Sequence, residues 1–143
     1  MKRILVITTI VLIFLATAAY FFWPKYEDVD IIPDDRSNMI VVVSPVKDSI
    51  AGSPLSVAGR ARGTWFFEGS FPIILQDTYG NILAESHATA QGEWMTEEFV
   101  NFLGSIQFNN HVKGSSVFLI LKKDNPSGLP EHDDSIKIPI ILK

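Results

Sequence analysis

From residue 39 to residue 143 the apolar side chains come in short runs, broken every few positions by glycine, proline, asparagine or aspartate. No run is long enough for a confident helix, so this stretch has to bury its apolar residues through strands. Residues 39–43 are rich in β-branched types and stop at Ser44-Pro45. After the turn Gly52-Ser53-Pro54, the residues Leu55, Val57 and Gly59 fall on one face of a second strand. Residues 71–76 form another, and Asp77-Thr78-Tyr79-Gly80-Asn81 reads as a hairpin turn with Gly80 at positive φ, returning through residues 81–90. Residues 98–108 alternate only in part, with Gly104 as an interruption, which predicts a bulged strand. The unbroken run in residues 115–122 predicts a central strand. A loop follows over residues 124–134, then a last strand over 136–142 in which Pro139 points to an edge position. About seven strands at this spacing predict an all-β, immunoglobulin-like sandwich over residues 39–143.

Ahead of it, residues 4–23 are twenty positions without a charge. As a helix they span about 30 Å, the thickness of a bilayer core. Lys2 and Arg3 precede the run and Tyr20, Phe21, Phe22 and Trp23 close it, a basic inner flank and an aromatic outer belt. The expectation is one N-terminal transmembrane helix over residues 1–23, with the N-terminus cytoplasmic and the rest extracytoplasmic. Ala16-Thr17-Ala18 keeps a cleaved signal peptide open as the other reading. Both send the domain out of the cytoplasm, to the cell membrane or envelope. Residues 24–38 carry Glu27, Asp28, Asp30, Asp34 and Asp35 with two prolines and no periodicity, an acidic extended linker.

Charge and cysteine content narrow the chemistry. Beyond Lys2 and Arg3 the chain carries 10 of its 12 basic residues against all 16 acidic ones, a net of −6. That balance argues against nucleic acid as a partner, because phosphates demand basic surfaces. With 0 cysteines, disulfide scaffolds, thiolate zinc sites and thiol catalysis are excluded.

Six motifs occur in order: Ser44-Pro45, Gly52-Ser53-Pro54, Gly59-Arg60-Ala61, Trp65-Phe66-Phe67-Glu68, Trp94-Met95-Thr96 and Asp124-Asn125-Pro126-Ser127-Gly128. In this order and spacing, over residues 39–143, they resemble the immunoglobulin-like domain of bacterial spore germination. The resemblance implies an extracytoplasmic β-sandwich, often beside another envelope domain or behind a single membrane anchor. It implies no catalytic residue.

The candidate site residues are Trp65, Phe67, Glu68, Trp94, Asn125 and Ser127. Trp65, Phe66, Phe67 and Phe71 lie within seven positions and predict the middle of a core. In a strand Trp65 and Phe67 share one face and Phe66 takes the other; an exposed Trp65 beside Tyr79 or Trp94 could stack on a sugar ring. Glu68 amid these rings needs a partner if buried, and Arg60 and Arg62 are the nearest cations in sequence. It is a strut for the loop or, remotely, the acid of a carboxylate-dependent hydrolase, although no second carboxylate stands at a recognisable spacing. The oxygen-rich loop around Asn125 and Ser127 lacks the spacing of a calcium loop and reads as a solvated turn. His87, His111 and His132 are scattered singly, and neither a nucleophile elbow nor a phosphate loop is present. The sequence therefore predicts no enzyme, no metal and no cofactor. It predicts a non-catalytic binding or scaffolding module of the envelope, with an envelope protein or a cell-wall glycan as partner.

Overall fold

The computed structural model describes residues 35–109 and 114–143. The expected membrane anchor and the acidic linker as far as residue 34 lie outside the described residues, as does His111. Among the described residues no helix is long and apolar enough to cross a membrane. The linker's last residues, Asp35–Asn38, form a 3₁₀ turn that leads into the first strand.

Eight strands follow: β1 (Ile40–Ser44), β2 (Ile50–Ala51), β3 (Leu55–Arg62), β4 (Ser70–Asp77), β5 (Ile82–Ala90), β6 (Phe99–Ile106), β7 (Ser116–Lys122) and β8 (Ser135–Leu142). They form one curled sheet in the order β1-β3-β6-β5-β4-β7-β8-β2, all-β and immunoglobulin-like. β2, two residues parallel to the end of β8, is the strand beyond the expected seven. It is too short to leave a periodicity in the sequence.

Two features curl this sheet into facing layers. β5 pairs with β4 along most of its length, and its last three residues, Ala88 to Ala90, also pair with β6. The same strand thus joins the β1-β3-β6 layer to the β4-β7-β8 layer. On the other side the chain leaves β3 after β1, bulges between Val42 and Ser44, and rejoins the sheet as β2 beside β8.

Between the layers lies one core. Phe71, Ile73 and Leu75 alternate inward from β4, Val117, Leu119 and Leu121 from β7, and Val57 and Ala61 from β3, all buried. The side chains alternate in and out with the period of two that a strand imposes. The layers meet at Phe71 of β4 and Phe102 of β6, whose rings pack edge to face at 5.0 Å and 80°. Phe66 and Trp65 extend this aromatic chain, with centroids 5.3 Å and 6.4 Å from Phe71. Each such pair contributes about 0.5–1.5 kcal/mol beyond the area it buries.

β6 departs from expectation. It pairs with β3 through Leu55↔Ile106 to Arg62↔Phe99 with no break in register, so it is not bulged. Gly104 is there for room. A Cβ on it would stand 3.1 Å from the Ala88 backbone and from the end of Ile73, where β5 crosses between the layers.

The β4–β5 turn is as the sequence indicates, with Gly80 at φ +92°. Asn81 donates its side-chain amide to Asp77 Oδ2 at 2.8 Å, and the backbone N–H groups of Asn81 and Tyr79 donate to Oδ1 at 2.8 and 2.9 Å. These bonds, the Asn81 amide foremost, hold the Asp77 carboxyl below its usual range.

Two predictions follow from this packing. Trp65 is fully buried and its indole N–H has no partner among the described residues. Trp65→Ala should cost about 3–5 kcal/mol in urea denaturation. Trp65→Phe should cost clearly less, because it leaves a smaller cavity and removes an unpaired donor. For Asp77, the lowered folded-state pKa means its stabilisation is complete above the unfolded-state value and lost as pH falls through the folded one. Asp77→Asn should therefore be less stable than the parent at neutral pH, and the gap should narrow in acid; a gap constant with pH would contradict it.

Candidate functional site

Following the antiparallel strands upward, the β3–β4, β5–β6 and β7–β8 connections emerge at one end of the sandwich. All six candidate residues lie in these three connections. The hairpin turn at Asp77–Asn81, with fully exposed Tyr79, lies at the opposite end, so Tyr79 does not join them.

The β3–β4 connection is the hub. Gly63–Trp65 is a 3₁₀ turn rather than a strand. Side chains therefore step around by about a third of a turn per residue instead of alternating. Trp65 and Phe66 both go inward, 0% and 5% exposed, while Phe67 points out at 42%. The expectation that Trp65 and Phe67 share a face is thus corrected, and Trp65 is a core residue with no surface to offer a sugar. Trp94 is half-buried.

Glu68 is also placed differently from expectation. Phe67 and Ser70 exchange backbone hydrogen bonds of 3.0 and 3.1 Å, closing a two-residue hairpin over Glu68 and Gly69. Both central residues have positive φ, +49° and +75°, as a type I′ turn requires. Glu68 is exposed at the tip and reaches neither arginine. Arg62 instead lies 3.7 Å from Glu98, donates to the carbonyls of Asn38 and Glu97 at 3.0 and 3.2 Å, and stacks with Arg60 on the Phe99 ring. The cation pair thus supports the β5–β6 connection, a role that only the three-dimensional neighbourhood of Phe99 discloses. The usable sequence signal was the Glu68-Gly69 dipeptide, a variant of the Asn-Gly and Asp-Gly pairs that mark such turns.

The three connections are bound to this hub. A Cβ on Gly63 would overlap the carbonyl oxygens of Trp94 and Thr96, so the β5–β6 loop lies directly on the glycine backbone. Gly63 N–H also donates to Glu98 O at 3.1 Å. From the other side Asp124 N–H donates to Trp65 O at 3.1 Å, tying down the β7–β8 loop. Within that loop Asn125 donates to Leu129 O at 2.8 Å and to Asp133 Oδ1 at 2.9 Å, and Ser127 donates to Asn125 Oδ1. These two polar side chains are engaged in holding the loop's shape. Ion pairing of Arg36 with Asp134 ties the entry turn to the same loop. Exposed apolar side chains stand at this end, Phe67, Met95 at 74% and Leu129 at 48%, with the edge of Trp94 between core and surface, among exposed carboxylates that include Glu68, Glu93, Glu97, Glu98 and Glu131.

Among the described residues no three histidine or acidic side chains are grouped to hold a metal ion. The arrangement suits recognition through rigid loops carrying apolar contacts.

A curled immunoglobulin-like sheet with loops gathered at one end defines a β-sandwich module. The family model for the immunoglobulin-like domain of bacterial spore germination matches residues 39–128, and the chain belongs to that family. The matched span stops in the β7–β8 loop, whereas the sheet continues through β8, whose Ile140 and Leu142 are buried in the same core. Comparison with curated proteins and with solved structures gave no match.

The turn assignment is testable. An ordinary side chain in the left-handed region costs about 1–2 kcal/mol, and asparagine tolerates it best. Glu68→Asn should raise stability by roughly half to one kcal/mol, and Gly69→Ala should lower it by about 1–2 kcal/mol. A loss of stability in Glu68→Asn would show that the carboxylate holds a structural partner.

Proposed function

We propose that this chain is a membrane-anchored, extracytoplasmic module of the cell envelope that recognises a protein partner through its three-loop end and catalyses no reaction. The observation that carries the reading is the apolar display of Phe67, Met95 and Leu129 on loops fixed from below by Trp65 and Gly63. Rigid loops lose little entropy on binding, and methionine and aromatic side chains are favoured at protein interfaces. Glu68, the residue of the hydrolase reading, stands exposed on a turn tip, which supports a non-catalytic role. The uncharged run at residues 4–23 behind Lys2 and Arg3 supports the anchor and the outward orientation.

Cell-wall glycan remains the second reading, carried by Phe67 and the half-exposed Trp94. It has less support than a protein partner, since sugars stack on open ring faces and Trp65 is fully buried.

The double variant Phe67→Ser, Met95→Ser alters exposed positions and should leave thermal stability nearly unchanged. Full-length protein would be cross-linked in membranes and, in parallel, sedimented with isolated wall material. The expected result is a protein adduct that the double variant loses and Tyr79→Ser, at the opposite end, keeps. Sedimentation with wall material that Phe67→Ser abolishes would transfer the assignment to a glycan. Retention of every adduct in the double variant would contradict the loop-end site.

A further inference from the structure

A second surface lies along the side of the sandwich, between β1 and β8. A groove of about 350 Å³ opens there, floored by Ile40, Val42, Ile136 and Ile138. These are the inward-facing residues of β1 and β8, so at this seam the core itself comes to the surface. Val46 borders it at 66% exposure.

Both walls are strand edges. Arg62 N–H donates to Met39 O at 2.8 Å, which makes that couple a hydrogen-bonded pair of the β1–β3 ladder. By the alternation of antiparallel pairs, Ile40 and Val42 then turn their N–H and C=O groups away from β3, into the groove. On β8, Pro139 O accepts from Asp48 N–H and Ile141 N–H donates to Ser49 O, so the odd-numbered residues face the outer edge. β2 covers only Ile141 and Leu142. Lys137 therefore turns its backbone N–H and C=O toward the groove as well. Pro139, with no N–H to waste, sits on this edge as the sequence anticipates.

The lining side chains include Arg36, Lys47 and Lys137 and no carboxylate. In a chain of net charge −4 this is a local reversal of sign. Arg36 is partnered by Asp134; Lys47 and Lys137 are exposed, Lys137 with its ammonium 5.9 Å from the centroid of the Phe118 ring.

We propose that this seam binds an extended segment of a partner protein, as an added strand in which apolar residues alternate with aspartate or glutamate. Backbone groups of Ile40, Val42 and Lys137 supply the ladder, the four-residue apolar floor takes alternate side chains, and Lys47 and Lys137 meet the acidic ones. Strand addition draws affinity from main-chain hydrogen bonds and specificity from alternate side chains, and both features are present here. The site is distinct from the three-loop end, which it meets only where Arg36 pairs with Asp134 of the β7–β8 loop.

The test uses the full chain in detergent and two fluorescein-labelled peptides, Thr-Asp-Val-Asp-Val-Asp-Ile-Thr and the same sequence with lysine replacing aspartate. Fluorescence anisotropy should show the acidic peptide binding at least about tenfold more tightly than the basic one. The double variant Lys47→Glu, Lys137→Glu should reverse that order. Val42→Pro, which removes an outward N–H without touching the β3 ladder, should abolish binding; the lysine variant decides the matter if the proline variant does not fold. Phe67→Ser, Met95→Ser should bind both peptides as the parent does. No binding of the acidic peptide, equal binding of both peptides, or insensitivity to the lysine reversal would overturn the proposal. So would a dimer in sedimentation equilibrium that Val42→Pro dissolves, since the groove would then belong to a second copy.

Discussion

The edge-to-face contact of Phe71 and Phe102 is the point on which the rest of the structure depends. It joins one strand from each layer at 5.0 Å, in the interior of a sheet that has only hydrogen bonds to curl it. Trp65 and Phe66 pack on the same Phe71 ring, so the β3–β4 connection is fastened to that contact from above. The loops therefore inherit their rigidity from the core. Gly63 allows the β5–β6 loop to lie against the hub, and Trp65 O holds the β7–β8 loop by its first amide. A surface made of loops usually trades order for adaptability. Here aromatic packing beneath the loops restrains all three, and the outward rings and thioether stand among exposed carboxylates.

The same economy explains the side seam. An eight-stranded sheet that curls without closing has two edges. β5 spans the layers on one side by pairing with both β4 and β6. On the other side the chain switches layer at the bulge after Val42, and β2 caps only the end of β8. What remains between β1 and β8 is backbone with unspent donors and acceptors, above exposed core. Proteins normally blunt such edges with lysine, proline or bulges. Lys47, Lys137, Pro139 and the β1 bulge are all present, and the lysines also give the edge a preference for acidic partners.

How much could be read from the chain differs between these parts. The strands were legible from short apolar runs set between turn residues: the unbroken run at residues 117–121 became an interior strand, and Phe71, Ile73 and Leu75 of another such run face the core. The Asp77–Asn81 turn was legible because its glycine and its carboxylate each have a local job. The aromatic hub was legible as core but not in its directions, since a 3₁₀ turn at Gly63–Trp65 replaces alternation with a tighter step. Glu68 was misplaced because a type I′ turn puts it at an exposed tip; its partner in sequence terms was Gly69, not an arginine. Gly104 looked like a bulge because a glycine within a strand records crowding and irregularity alike, and only the crossing of β5 separates them. The seam was nearly invisible, because sheet order is not a local property. Of its features only Pro139 spoke in advance.

The most direct test of the account is site-specific photo-crosslinking in native membranes, with a photoreactive phenylalanine analogue at Phe67 and, separately, at Tyr79. Both positions are exposed, and they stand at opposite ends of the sandwich. The account predicts a discrete protein adduct from position 67 and none from position 79. Adducts from position 79 with none from position 67 would contradict it, and would move the recognition surface to the hairpin end.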